Sequence, residues 1–313
     1  MTKIDSPRRA PRAPRMRSAL FAPGHRRDFL DKLWRSGADG VILDLEDSVP
    51  AALRPDARSA IASWIALPQS ARQIICVRIN ALDQNCLEED VGAAISHSLV
   101  ALQIPKVRGP EDVLRVEKVL ARLEAQAGLG AIQILIWPLL ETALSVRNSF
   151  EIATCSPRIA YMGAGASPNG DLARDLGLHH TDSMLETLYV RSKVIVDVRA
   201  AGVPNPIGGL STAIGKPAEV ERYARFMRSL GYEGIMAIHP SQVVVANAVF
   251  GPTVDEIANA RKLVAAFDAA QREGKGALAF DGGMIDMAHY RTALELLDRA
   301  GEFDRRRALL RSD

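Results

Sequence analysis

Residues 40–50, GVILDLEDSVP, set an apolar run directly against three carboxylates and a proline. Val41, Ile42, Leu43 and Leu45 make a stretch too short for a helix and without polar alternation. That pattern reads as a strand covered on both faces, the condition of a strand in a parallel sheet. Asp44, Glu46 and Asp47 then crowd its end. Carboxylates so close repel one another, and the repulsion has to be offset by a bound cation, by basic side chains, by helix N-termini, or by protonation of one member.

Similar aliphatic runs recur on either side, each closed by polar or turn residues: SALFAP (18–23), QIICVRIN (73–80), ALQIPKV (101–107), IQILIWPLLE (132–141), RIAYMGAG (158–165) and GIMAIHP (234–240). Each has the composition of a strand. An eighth falls near NPIGGLS (205–211), between helical stretches at about 182–200 and 217–230. The intervening segments are amphipathic. GPEDVLRVEKVLARLEAQAG (109–128) spaces Val113, Val116, Leu120 and Leu123 for one helical face, with acids early and Gly128 as a stop. No glycine-rich dinucleotide turn follows the first strand, and no internal repeat is present. Eight strand–helix units predict an α/β fold, a (β/α)8 barrel over residues 17–250, rather than an open doubly wound sheet. Residues 251–313 are left over as C-terminal helices and a lid segment.

Composition narrows the class. Hydrophobic residues at 48% and charged residues at 24% are ordinary globular values, and a net charge of +2 argues against a nucleic-acid binder. The longest apolar run, AIQILIWPLL, falls well short of the roughly 20 residues that span a bilayer, so no membrane partner is expected. Cys76, Cys86 and Cys155 are odd in number and lack CxxC spacing, which fits a reducing cytoplasm better than a disulfide framework or a zinc site. Residues 1–16 are basic and broken by Pro7, Pro11 and Pro14, and read as a flexible arm rather than a targeting helix.

In a (β/α)8 barrel the C-terminal strand ends share one mouth, where active sites are built. The residues closing the predicted strands are Asp44, Glu46 and Asp47, then Arg78 and Asn80, Lys106, Glu141, Asp171 and His239. Acids and bases converging in this way suit a divalent cation and an anionic substrate. Each has a structural alternative. Glu141 and Asp171 stand where helix caps occur, Arg78 is placed to pair with a strand-two acid, and Lys106 and His239 are single strand-end residues.

RSALFAPGH, GADGVILDLEDSVP, VRIN, IPKV, PLLETA, GDLARDLG, GYEGIMAIHPSQV and DGGMIDMAHYRTA stand in the order, and at about the spacing, of the citrate lyase β-subunit-like proteins. From Arg17 onward the chain resembles that family, which belongs to the HpcH/HpaI aldolase group and includes malyl-CoA and citramalyl-CoA lyases. The resemblance implies Mg2+ held by Glu141 and Asp171. It implies a 2-oxo acid carboxylate gripped in bidentate fashion by Arg78, and strand-two acids Glu46 and Asp47 facing metal-bound water. It also implies Asp286 as the base at the acyl methyl group, carried on a segment that covers a neighbouring subunit in a homotrimer or homohexamer. Phe21, Arg26 and Lys32 are the candidates to meet the CoA adenine and phosphates at the barrel mouth, the structural alternative being that such basic helix residues are simply solvated.

The expected chemistry is cleavage or formation of a 3-hydroxyacyl-CoA thioester, giving an acyl-CoA and a 2-oxo acid. Two departures are visible. GAGASPNGDL carries extra residues between Gly163 and Asp171, and the lysine of the family's GfxGK pattern is missing from GYEGIMAIHP. Two other functions remain open: an HpaI-type aldolase on free 2-oxo acids, which would not bind a CoA ester, and a citrate lyase β-type subunit, which would be silent without partner chains. For Asp286 the structural alternative is an N-cap before MAHYRTALELL.

Overall fold

A computed structural model describes residues 13–68 and 72–311. Eight parallel strands close into a barrel in chain order. They are β1 (Ser18–Pro23), β2 (Gly40–Asp44), β3 (Ile74–Arg78), β4 (Leu99–Ile104), β5 (Leu135–Leu140), β6 (Tyr161–Ala164), β7 (Asn205–Leu210) and β8 (Gly234–Ala237). Closure comes from β1 pairing with both β2 and β8, with Ser18 opposite Ile235. The helices between them are α1 (Arg27–Leu30), α2 (Arg54–Ile65), α3 (Leu87–Ala94), α4 (Pro110–Gln126), α5 (Ala143–Arg147), α6 (Ser149–Thr154), α7 (Asp171–Leu176), α8 (Leu188–Ala201), α9 (Pro217–Ser229) and α10 (Pro240–Phe250). The barrel expected from the strand pattern is therefore the fold.

Strand β2 is covered on both faces. Ile42 belongs to the barrel interior with Ala19, Cys76, Ala101, Trp137 and Met236. Its neighbours Val41 and Leu43 belong to the outer layer with Ile61 and Trp64 of α2. Every residue of β2 is buried, which is why polar alternation is missing from it. In α4 the predicted face is the packed one: Val113, Val116 and Leu120 are fully buried, Pro110 opens the helix, and Glu111 and Asp112 occupy its first turn.

The lower end of the barrel corrects the sequence reading. The basic arm was expected to run through residue 16. Residues 1–12 lie outside the described residues, but Ala13 and Met16 are buried in the barrel interior and the Tyr161 hydroxyl donates to the Pro14 carbonyl at 2.7 Å. Two strand-opening glycines make room for them. A Cβ on Gly40 would come within 2.2 Å of the Met16 sulfur, and one on Gly234 within 2.1 Å of the Met16 carbonyl. Arg17 completes this end with a buried pair to Asp39, at 2.7 and 2.8 Å.

The described residues up to Phe250 form one compact unit, and those from Gly251 a second. The second contains α11 (Val254–Arg272), β9 (Ala277–Phe280), β10 (Gly283–Asp286) and α12 (Met287–Arg311). β9 and β10 pair as an antiparallel hairpin through Asp281 and Gly282, whose φ values are 47° and 77°. Those two positive angles belong to the mirror-image turn that Asp-Gly favours. Phe267 of α11 stacks on Tyr290 of α12 at 5.0 Å, and the Tyr290 hydroxyl donates to Asp268 at 2.8 Å. No described helix is long and apolar enough to cross a membrane.

Two glycines test how tightly the barrel is packed. A Cβ on Gly163 of β6 would stand 1.8 Å from the Ile207 carbonyl oxygen in β7, whereas one on Gly92 in α3 would meet nothing within 4 Å. Urea denaturation should show Gly163→Ala losing about 3 kcal/mol. Gly92→Ala should be neutral or gain up to about 1 kcal/mol. Equal effects would mean that β6 and β7 do not approach as closely as described.

Candidate active site

At the end of β2 the three carboxylates face two basic side chains, not one another alone. Arg78, closing β3, is the register partner of Asp44 and donates to it twice, Nε to Oδ1 at 2.6 Å and Nη2 to Oδ2 at 2.7 Å. Its remaining Nη1 stands 2.9 Å from Glu46 and 3.9 Å from Asp47. Lys106, just past β4, donates to Glu46 at 2.7 Å and to Asp47 at 3.1 Å. Basic partners are thus what offsets the repulsion among these acids. The Ser48 hydroxyl also donates to Asp44, and the Phe21 ring lies 4.9 Å from the Arg78 guanidinium.

The ionisation of the cluster follows from those contacts. Burial alone would push the Asp44 carboxyl up, but the charge and hydrogen bonds of Arg78, with Ser48, hold it below the usual carboxylate range. Burial dominates at Glu46, which is raised despite Arg78 and Lys106. Both bases are held firmly protonated: burial opposes their charge, and Asp44 for Arg78 and Glu46 for Lys106 more than restore it.

Glu141 stands directly after β5 and is not used as a cap. Thr142 caps α5 with a reciprocal bond to Ser145, leaving the Glu141 carboxylate to accept, among the described residues, the Lys106 backbone N–H at 2.8 Å. Lys106 takes the left-handed conformation, φ 51°, in making that contact. Burial pushes Glu141 up to about 7, reinforced by the nearby charges of Glu46 and Asp171. Asp171 is the first residue of α7, which Gly170 caps instead. It pairs with Arg174 and lies 3.8 Å from the Lys106 ammonium. A cavity of about 400 Å³ gathers Phe21, Asp47, Arg78, Glu141 and Asp171 along its wall. Lys106, Glu141 and Asp171 also line an adjoining hollow of about 670 Å³.

The other sequence candidates are distributed differently. Phe21 and Lys32 line a smaller hollow of about 250 Å³ with Phe29 and His239. Arg26 is exposed, paired with Asp28 at 2.8 Å and stacked over Phe29. The bidentate edge of Arg78, assigned to a substrate carboxylate, is occupied by Asp44, because parallel register sets the two side chains opposite each other. Asp286 does cap α12, accepting from Ala288 N at 3.0 Å, and also lies 2.7 Å from His289 Nδ1. That hydrogen bond from His289 holds its carboxyl below the ordinary range. Lys106 is the residue whose central place the sequence understated: IPKV marks it as a strand end but not as the link between acids from three strand ends.

Glu141 and Asp171 fit a hard divalent cation. Both supply carboxylate oxygens, both face one cavity, and the charge they press on each other is what a cation relieves. No group of three or more metal-binding side chains gathers among the described residues. Two carboxylates, with water or substrate oxygens completing the shell, is the usual arrangement for Mg2+.

Residues 17–240 match the model of the HpcH/HpaI aldolase/citrate lyase family. The chain belongs to this family. It is 36% identical over 288 residues to a citrate lyase subunit beta-like protein of Deinococcus radiodurans, covering 89% of this chain and 96% of that one. It is 32% identical over 309 residues to an L-malyl-CoA/beta-methylmalyl-CoA lyase of Rhodobacter capsulatus, covering 91% and 94%. Among solved structures it resembles CitE of Mycobacterium tuberculosis in complex with magnesium, acetoacetate and coenzyme A, at a TM-score of 0.68 and 27% identity over 92% of this chain and 98% of that one. Family membership makes the protein an enzyme of the lyase class.

Glu141 gives a stability test with a defined sign. Its carboxyl titrates near 7 in the folded chain against an ordinary value of 4.5, so the folded state binds the proton more tightly than the unfolded state. In metal-free buffer its contribution should worsen as pH rises from about 4.5 to 7. Glu141→Gln should therefore exceed wild type by about 1–3 kcal/mol near pH 8 and match it near pH 4.5, measured by urea denaturation. A pH-independent difference would contradict the burial of this carboxylate.

Proposed function

We propose that the protein is a Mg2+-dependent carbon–carbon lyase that cleaves, or forms, a 3-hydroxyacyl-CoA thioester such as malyl-CoA or citramalyl-CoA. The products of cleavage are an acyl-CoA and a 2-oxo acid. The observation that carries this reading is the cavity into which β3, β5 and the start of α7 bring Arg78, Glu141 and Asp171. Its support from relatives is the malyl-CoA lyase likeness and the magnesium, acetoacetate and coenzyme A of the CitE complex.

In this reading Glu141 and Asp171 would hold a divalent cation, which when bound would polarise the 2-oxo acid carbonyl. Asp44 keeps the Arg78 guanidinium fixed and charged, and its Nη1, which faces Glu46 at 2.9 Å, turns part of that contact to a substrate oxygen to stabilise the negative charge developing there. Lys106 neutralises Glu46 and Asp47, which would otherwise repel an anionic substrate. Phe21 and Lys32 flank the CoA moiety. Arg26 would reach its phosphates only on leaving Asp28. Asp286 moves the proton at the acyl methyl carbon, removing it for condensation and returning it after cleavage. Its lowered pKa, caused by the hydrogen bond from His289, favours the carboxylate form that a base requires.

The direct test is turnover of acetyl-CoA or propionyl-CoA with glyoxylate, pyruvate or oxaloacetate in the presence of Mg2+. Activity only on free 2-oxo acids would favour an HpaI-type aldolase, and silence until other chains are added would favour a citrate lyase β-type subunit. Glu141→Ala and Asp171→Ala should each abolish metal-dependent turnover while leaving circular dichroism unchanged. Wild-type rates with an unchanged Mg2+ requirement would remove that residue from the ligand set.

The assignment of Asp286 includes a homotrimer or homohexamer in which the second unit of one chain completes the site of its neighbour. Asp286→Ala should then lose proton exchange at the acyl methyl group but keep Mg2+ affinity. Mixing it with Glu141→Ala should restore part of the activity, because hybrid oligomers contain some intact sites. No recovery after subunit exchange, followed by native mass spectrometry, would confine Asp286 to its own chain.

A further inference from the structure

Arg191 of α8 is buried to 1% exposure, and no carboxylate pairs with it among the described residues. Its partners are all neutral. Nε donates to the Thr187 hydroxyl at 2.9 Å, and Nη2 to the Ala166 carbonyl at 2.6 Å. Nη1 faces the Tyr223 hydroxyl at 3.3 Å and the Met227 sulfur at 2.8 Å, and the guanidinium lies 5.3 Å from the Tyr223 ring. The other deeply buried arginines are not left this way: Arg17 has Asp39, and Arg158 has Glu124. A buried guanidinium without an anion is costly, and carboxylate or phosphate oxygens are the partners its planar fork fits best.

Arg191 also lines a cavity of about 530 Å³, within the size range of small-molecule sites. The same cavity is lined by His180, Lys216, Arg222 and the hydroxyl residues Thr181 and Ser211. Two acids share the wall: Glu219, 3.0 Å from Lys216, and Asp182, 3.4 Å from Arg222. Leaving His180 aside, the three positive charges of Arg191, Lys216 and Arg222 face the two negative ones of Glu219 and Asp182, and the unmatched charge is the buried one.

We propose that this cavity is a second anion site, distinct from the strand-end acid cluster, that takes a small organic molecule bearing a carboxylate or a phosphate monoester. Arg191 supplies the buried counter-charge, while Lys216 and Arg222 draw the anion in at the rim. The site adjoins the metal-ligand loop. The Ala166 carbonyl accepts from Arg191 and stands 3.5 Å from His180 Nε2, and the chain from Ala166 runs through Asn169, at φ 58°, to Asp171. An anion that draws Arg191 toward itself therefore bears on the segment that carries Asp171, and the site is placed to sense a metabolite other than the substrate.

The test is isothermal titration of the full-length protein, free of phosphate and carboxylate buffers, with inorganic phosphate in one arm and succinate in the other. Saturable binding is expected in at least one arm, and the arm that binds identifies the oxyanion. The rim variant Lys216→Met/Arg222→Met, which alters exposed side chains only, should weaken that binding at least tenfold. Arg191→Met should abolish it if circular dichroism shows a folded chain, with Arg191→Lys retaining part. No saturable heat in either arm would overturn the proposal, and so would an affinity indifferent to the rim variant, which would mark binding elsewhere.

Discussion

The register that sets Arg78 of β3 beside Asp44 of β2 is the constraint on which the mouth of the barrel depends. Closing eight parallel strands brings every strand end to one rim, so charges far apart in the chain become neighbours whether or not a ligand is present. Asp44, Glu46 and Asp47 would make that rim unstable alone. One guanidinium and one ammonium, from the next two strand ends, hold them in place. The resulting cluster is fixed before any substrate arrives, which is the preorganisation that electrostatic catalysis uses. Glu141 is the member with which no basic side chain pairs among the described residues, and its burial leaves its proton loosely decided near neutrality.

Much of this could be read from residues because burial leaves a direct mark on composition. Val41, Ile42 and Leu43 had to be apolar on both faces, and the four residues that share the α4 stripe had to repeat at helical spacing. The strand-end residues could be collected for the same reason, since a run of aliphatic residues announces where it stops. Their pairings could not. Whether Arg78 faces a substrate or Asp44 is decided by inter-strand register, and no local pattern encodes a register between segments 34 residues apart.

Other features were hidden for different reasons. Residues 13–16 look like the rest of a basic, proline-broken arm, and only the closed barrel supplies the hollow that Ala13 and Met16 fill. The Asp281-Gly282 turn was legible in principle, since Asp-Gly between two short apolar runs is a hairpin signal, but the strands it joins are four residues each and largely exposed. Arg191 gave no signal at all, because a basic residue within an amphipathic helix usually reaches solvent. Its isolation becomes visible only once the acids around it have been located.

The plug at the lower end of the barrel bears on what can reach the mouth. Met16 and Ala13 close the strand openings, and Trp137, Tyr161 and Met236 fill the interior above them. Among the described residues these side chains fill the interior behind the acid cluster, which leaves the loop side as its approach for solvent and protons. For any carbanion generated there, lifetime is set by how well that single approach is covered. In the proposed lyase reaction, a change in the covering loops would therefore shift the balance between carbon–carbon bond formation and quenching without altering a residue of the cluster itself.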